Sequence, residues 1–338
     1  MSLIARRLEF TATERTAIDR TNAVLALTPR LKVDGWRMAA GQWLNARLTP
    51  AAERFTQAWL SRRGVTVEVL HIPIGQGTVP VRILRPASPA RGVVLDIHGG
   101  GWVVGSAGLN DRLNAHLVAE AGLAVVSVDY RLLSEPRGVF LSDAVADCLA
   151  AARWLIANAE PSFDTKRLLL VGESAGGHLA ALTAVQLLRT GELAAFSGCV
   201  FIYGVFDLTG TPSVRSAGPD TLLLNGPTMA ADLARITPGL DEARRREPDI
   251  SPLYADLDGV PPALFVVGEN DPLLDDSRLM AAAWSEVASA ELVTAPASPH
   301  GFMHFNGPAA AKARYAIRTW LTQQENQRKP LSVDNPQD

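Results

Sequence analysis

Gly172-Glu173-Ser174-Ala175-Gly176 sets a serine hydroxyl at the centre of a Gly-x-Ser-x-Gly pentapeptide. The apolar run Leu168-Leu169-Leu170-Val171 before it is long enough for one buried strand, and the Ala- and Leu-rich segment to about Leu188 reads as a helix. Strand, pentapeptide and helix in that order predict an elbow that holds a nucleophile out from the end of a strand. So tight a turn puts Ser174 in strained backbone, and Gly172 and Gly176 keep the approach clear of side chains. The helix N-terminus behind the serine favours the negative charge that develops when an alkoxide attacks a carbonyl.

A serine nucleophile needs a base, an acid to orient that base, and donors for the oxyanion. In open parallel sheets these parts gather at the carboxyl ends of strands. After Leu95-Asp96-Ile97 comes His98-Gly99-Gly100-Gly101-Trp102, whose glycines let backbone N–H groups approach a ligand closely. The predicted donors are the N–H groups of Gly100, Gly101 and Ala175. His98 precedes the serine in the chain and reads as a residue that holds this loop. After Leu264-Phe265-Val266-Val267 comes Gly268-Glu269-Asn270-Asp271-Pro272, where Asp271 is the natural acid and Pro272 stiffens the loop behind it. Glu269, Asp207, Asp275 and Asp276 are the alternative acids, and Asp275 and Asp276 also read as caps of the following helix. After the last strand comes Ser298-Pro299-His300-Gly301-Phe302-Met303-His304. His300 is the expected base, which completes the order nucleophile, acid, base. His304 is the alternative base or a support for the pocket.

The elements that must carry these parts alternate along the chain. Val65–Ile74 and Val79–Leu84 flank a Gly75-Gln76-Gly77 turn and read as a hairpin. Buried strands are expected at 93–97, 123–128, 167–171, 200–203, 263–267 and 291–293, with helices near 110–121, 143–158 and 309–323. This is an α/β pattern, a mainly parallel sheet with helices on both faces and antiparallel strands at one edge. Residues from about 11 to 61 read as helices, with Thr13 as a cap and Pro50 opening a second helix. Residues 1–62 are therefore expected to form a helical cap segment, and 63–208 with 248–325 the core. The alternation fails between Leu208 and Pro248, so 209–247 reads as an insertion that adds to the cap, with Arg244-Arg245-Arg246 on a solvated face. Residues 326–338 read as a disordered tail.

The 338 residues are 47% apolar, enough for a sizeable core, with 32 basic against 35 acidic residues and a formal net charge of -3. That balance carries no basic footprint for nucleic acid and no polybasic membrane patch. The two cysteines, Cys148 and Cys199, read as small core residues. The start lacks a signal peptide's apolar stretch and no run is long enough to span a bilayer, so the expected location is cytoplasmic.

His98-Gly99-Gly100-Gly101-Trp102, Asp129-Tyr130-Arg131-Leu132, Gly172-Glu173-Ser174-Ala175-Gly176-Gly177, Asp271-Pro272-Leu273 and His300-Gly301-Phe302 together resemble the hormone-sensitive-lipase-like family of α/β-hydrolases, also called bacterial lipolytic family IV. The resemblance covers roughly residues 65–325. It implies an α/β-hydrolase fold with a helical cap built partly from N-terminal helices. It further implies hydrolysis of short- to medium-chain acyl esters by Ser174, Asp271 and His300 through an acyl-enzyme, with no metal or cofactor. The expected partner is a small-molecule ester substrate. Members often dimerise, some through the edge strand near the C-terminus, so a homodimer is among the expected assemblies. Trp36, Met38 and Trp43 in the apolar cap, with Trp102 and Phe302, are the candidate substrate-binding residues. The chain departs from the family pattern at Leu133-Ser134, where Ala-Pro is usual, and at Glu173, where Asp is commoner. Asp129, Arg131 and Glu135 remain for the polar network of the first of these loops. Amide hydrolysis or deacetylation by the same residues is the alternative reaction, and a non-catalytic receptor on this scaffold the alternative role.

Overall fold

The computed structural model describes residues 2–28, 30, 35–75 and 77–324. The described strands are β1 (Ile4–Arg7), β2 (Thr66–Ile74), β3 (Gly77–Arg85), β4 (Val93–Ile97), β5 (Ala124–Val128), β6 (Leu168–Glu173), β7 (Phe196–Ile202), β8 (Ala263–Gly268) and β9 (Ala290–Ala295). The helices are α1 (Ala12–Ala26), α2 (Gly35–Ser61), α3 (Asp111–Ala121), α4 (Leu141–Phe163), α5 (Ala175–Arg189), α6 (Pro212–Arg215), α7 (Met229–Arg235), α8 (Glu242–Arg245), α9 (Leu274–Val287) and α10 (Pro308–Gln323). Strands and helices alternate along most of the chain.

One sheet orders the strands β1-β9-β8-β7-β6-β4-β5-β3-β2. Among the described strands, only the β2–β3 and β3–β5 pairs are antiparallel. The central strands β4, β5, β6, β7 and β8 are buried along their whole length. Helices on both faces leave them no solvent side, which is why their sequences are continuous apolar runs rather than alternating ones. The hairpin sits at one edge, as its turn residues predict. The opposite edge departs from expectation. β1 pairs in parallel with β9, Ile4 beside Glu291 through Arg7 beside Thr294. Its four residues are all exposed and end in two arginines, so nothing in their pattern announces a strand. Its ladder to β9 is flanked by surface ion pairs, Arg6 to Glu291 on β9 at 2.7 Å and Arg7 to Glu269 just after β8 at 2.6 Å. Part of the segment read as helical cap is thus a strand of the core sheet.

Two helix details also differ. Thr11, not Thr13, caps α1, in a reciprocal capping box with Glu14. Pro50 lies inside α2 instead of opening it. Tertiary hydrogen bonds on either side of the proline fasten the helix to the core: Gln42 to the Leu133 carbonyl, Asn45 to Gly105, and Ser106 to Glu53. They offset the helix bond that proline removes. Residues 326–338 lie outside the described residues.

Candidate active site

Ser174 stands between β6 and α5 with φ 53° and ψ −121°, the strained conformation that the elbow demands. The flanking glycines are required by close approach. A Cβ on Gly172 would lie 2.4 Å from the Gly176 carbonyl oxygen, and one on Gly176 would lie 2.0 Å from that of Ile97. The elbow is therefore pressed against the end of β4, where the glycine loop begins.

His300 comes from the loop after β9. The Ser174 hydroxyl donates to His300 Nε2 at 2.8 Å, and His300 Nδ1–H donates to Asp271 Oδ2 at 2.9 Å. The other carboxylate oxygen of Asp271 accepts from the Leu273 backbone N–H at 2.9 Å. Backbone bonds from Glu269 to Ala295 and from Asn270 to Ser298 tie the Asp271 loop to the His300 loop. Asp271 and His300 are both buried.

The alternative acids are engaged elsewhere. Glu269 pairs with Arg7. Asp276 is buried, accepts from the backbone N–H groups of Phe206 and Asp207, and takes the Thr211 hydroxyl at 2.6 Å. Asp275 accepts from the Ser213 backbone N–H, and Asp207 from Thr209 and Tyr254. Asp275 and Asp276 thus pin the start of the insertion to α9 instead of capping that helix, whose N-cap is Leu273.

The glycine loop faces Ser174. Gly100 and Gly101 take φ values of 109° and 58°, and with Ser174 they line one cleft. Ala175 opens α5, so its N–H is among those that a helix leaves without an internal partner. His98 holds the loop, as its place in the chain suggests. Its Nδ1–H donates to the Gly99 carbonyl at 2.7 Å, its ring stacks on Tyr130 at 4.3 Å, and burial pushes its pKa down to about 4. The Trp102 indole N–H donates to His178 Nδ1 at 3.2 Å, and His178 Nε2–H donates to the Ile250 carbonyl at 2.7 Å. In the neighbouring loop Asp129 accepts from the Ala107 N–H, and Arg131 pairs with Asp143 and Asp147. Glu135 is exposed and stands apart from those pairs.

The cleft over Ser174 and His300 has a volume of about 410 Å³. Leu223, Leu224, Met229, Leu233 and Ile236 of the insertion form one wall, and Gly41 of α2 contributes at another. Arg244 and Arg246 lie on the solvent side of the insertion, paired with acidic neighbours. Trp102 lines the cleft. Phe302 does not; it is buried, its ring 5.8 Å from that of Tyr203. Trp43 is 59% exposed, with the Arg47 guanidinium 4.4 Å over its ring, and takes no part in the lining. Its place on α2 faces water because the face bearing Gln42, Asn45 and Glu53 is the one that docks. The side chains of Trp36 and Met38 lie outside the described residues.

Two further contributors complete the site, one unread in the sequence and one noted there only as a departure from the family pattern. Tyr203 follows β7 at φ 37° and its ring meets that of His300 at 4.8 Å. Its position at a strand's carboxyl end was the available signal. Glu173 is the other. Its Oε1 accepts from His304 Nε2–H at 2.7 Å and from the Tyr203 hydroxyl at 2.9 Å. Burial pushes this carboxyl up, but the charge of His304 and the hydrogen bonds from His304 and Tyr203 together hold it below the usual range. Facing the Glu173 charge, His304 is raised in turn.

Comparison with known proteins finds relatives of this chain. A family model described as alpha/beta hydrolase fold matches residues 94–304. The chain is 37% identical over 234 residues to an ethyl acetate hydrolase of Pseudomonas putida, covering 67% of this chain and 72% of that protein. It is 35% identical over 253 residues to the carboxylesterase NlhH of Mycobacterium tuberculosis, covering 71% and 76%. Among solved structures, an esterase of Pyrobaculum calidifontis superposes with a TM-score of 0.76 at 29% identity, over 90% of this chain and 97% of that one.

Proposed function

Since the chain belongs to the α/β-hydrolase fold family, in its hormone-sensitive-lipase-like branch, and is a serine carboxylic ester hydrolase, we propose that Ser174, His300 and Asp271 carry the reaction. The observation that carries this reading is the unbroken hydrogen-bonded line from Ser174 Oγ through His300 to Asp271, at 2.8 Å and 2.9 Å.

In this mechanism His300 Nε2 takes the Ser174 proton as Oγ attacks the ester carbonyl. Asp271 fixes the tautomer that leaves Nε2 free to accept, and its charge stabilises the imidazolium that forms. The N–H groups of Gly100, Gly101 and Ala175 receive the oxyanion, each contributing about 2.7–4 kcal/mol. His300 then protonates the leaving alcohol. Water attacks the acyl-enzyme with His300 as base again, releasing the acid and restoring Ser174.

The apolar wall of the insertion supports short- to medium-chain acyl groups, packed against Leu223, Leu233 and Ile236. Trp102 is the proposed aromatic contact. In the same reading α1, α2 and residues 209–247 act as the cap over a core of 63–208 and 248–325. Among the described residues no helix is long and apolar enough to cross a membrane. A cytoplasmic location belongs to the proposal, in keeping with two buried free cysteines. So does a homodimer, with one constraint: β1 already occupies the free edge of β9, so pairing at that end of the sheet would have to run through β1.

The test is hydrolysis of p-nitrophenyl esters across acyl lengths, with Ser174→Ala alongside. Turnover should peak at short to medium chains and vanish in the variant, while its thermal melt stays that of the parent. Retained turnover in a folded Ser174→Ala protein would end the assignment.

A further inference from the structure

Glu173 and His304 bracket the reacting pair. Glu173 immediately precedes Ser174, and His304 stands four residues after His300 on the same loop. Their side chains meet at 2.7 Å. Tyr203 joins them from the end of β7, its hydroxyl on Glu173 and its ring edge against His300. We propose that the Glu173–His304 pair, braced by Tyr203, positions Ser174 and His300 for proton transfer, as a second tie between the elbow and the base loop. The proposal rests on the catalytic roles assigned above.

The direct link between the two loops is a hydrogen bond that the reaction itself breaks. Once His300 holds the proton, its Nε2–H turns to the leaving group and no longer accepts from Ser174. A link that takes no part in the chemistry keeps the loops in register through that step. The base loop has need of one. Gly301 follows His300 at φ 68°, and beyond it is a single tight turn, Phe302–His304. Glu173 offers a firm anchor, since it ends the fully buried β6 and is 3% exposed. Its second carboxylate oxygen is buried without a hydrogen-bond partner among the described residues. The carboxylate therefore depends on His304 for its counter-charge.

The groups that face the pair come from several elements. Asp96 is on β4, Tyr203 follows β7, His300 shares the loop, and Arg314 reaches from α10 to the Met303 carbonyl. Asp96 and Glu173 both favour a charged His304. With His304 raised and Glu173 lowered, the ionic form of the pair is favoured. The pair loses its charge as pH rises through the His304 pKa, and again as pH falls through that of Glu173.

The experiment compares His304→Ala, His304→Gln and the double variant Glu173→Gln/His304→Gln with the parent. Readouts are kcat and KM on p-nitrophenyl butyrate from about pH 6 to about pH 10, thermal melts, and Ser174→Ala as a separate control. A misplacement near 1 Å costs about 100-fold in rate, so His304→Ala should lower kcat by about 10- to 100-fold with KM within about twofold. His304→Gln, whose amide still donates to Glu173, should recover most of that loss and lack the parent's alkaline decline in kcat. The double variant restores a neutral hydrogen-bonded pair and should match His304→Gln or exceed it. Parental kcat in folded His304→Ala overturns the proposal, as does equal impairment of Ala and Gln. If His304→Ala does not fold, the alkaline limb decides: a decline unchanged in His304→Gln overturns it. Activity persisting in Ser174→Ala would instead refute the catalytic assignment, which the His304 series does not test.

Discussion

Replacing Asp271 by Asn puts the proposed triad to its sharpest test, because the structure dictates how the amide must sit. One carboxylate oxygen accepts from the Leu273 backbone N–H at 2.9 Å and the other from His300 Nδ1–H at 2.9 Å. In Asp271→Asn only one of these sites keeps an oxygen. The Leu273 N–H cannot change from donor to acceptor, so the amide oxygen turns to Leu273 and the NH2 group faces His300. The imidazole can change: Nδ1 becomes the acceptor and the proton moves to Nε2. His300 Nε2 then donates to Ser174, 2.8 Å away, and can no longer take its proton. The steric cost is small, since the side chain is nearly isosteric and keeps its bond to Leu273. The loss should therefore fall on kcat and not on folding or KM, by about four powers of ten, or about 5 kcal/mol of barrier. Steady-state hydrolysis of p-nitrophenyl acetate, with thermal melts of both proteins, measures it. A loss below about tenfold, or one carried by KM, would show that Asp271 does not set the tautomer of the working base.

Three further outcomes follow from the geometry. Gly176→Ala would drive a Cβ to 2.0 Å from the Ile97 carbonyl and 2.4 Å from that of His98. Both are backbone atoms at the end of a central strand, so urea unfolding should register about 3 kcal/mol of destabilisation or more; a parental midpoint would mean the elbow can relax. Burial pushes the Asp276 carboxyl up to about 7, so the folded state favours the protonated form. That contribution is present below the unfolded pKa and is lost as pH rises through about 7. Asp276→Asn stays neutral and can bond the same three partners, so its urea midpoint should gain on the parent's between about pH 5 and about pH 8; a constant difference would refute the shift. Leu233→Trp fills the apolar wall of the cleft and should cut the octanoate-to-acetate ratio of kcat/KM by about tenfold or more; an unchanged ratio would move the acyl group to another part of the cleft.

Much of this was legible because the parts of the site are local. Gly172 and Gly176 declare a close approach, and the structure supplies the atoms approached, the carbonyls of Gly176 and Ile97. Ser174, Asp271 and His300 each follow an apolar run that becomes a strand, and in a parallel sheet all such strand ends point the same way. The insertion announced itself by broken alternation, and its leucines wall the cleft. The candidate pocket aromatics could not be read so easily. Trp43 and Phe302 have the composition of pocket residues, yet one faces water and the other packs against Tyr203, because orientation around a helix or turn depends on which face docks. β1 was hidden for a similar reason: four exposed residues carry no burial pattern, and their strand state comes entirely from β9 and the acidic partners Glu269 and Glu291.

The sequence by itself determined the alternation of strands and helices through the core, the elbow with Ser174, the glycine loop and the loops that carry the candidate acids and bases, since each is written in short-range apolar periodicity and in residues that only a particular turn tolerates. Only the tertiary structure decided which acid meets His300 and which acids pin the insertion, that His304 pairs with Glu173, and that His178 holds Trp102. Those choices are made by hydrogen bonds between residues far apart in the chain. Each buried polar group must find a partner, and which partner is in reach is known only once the sheet has brought the strand ends together.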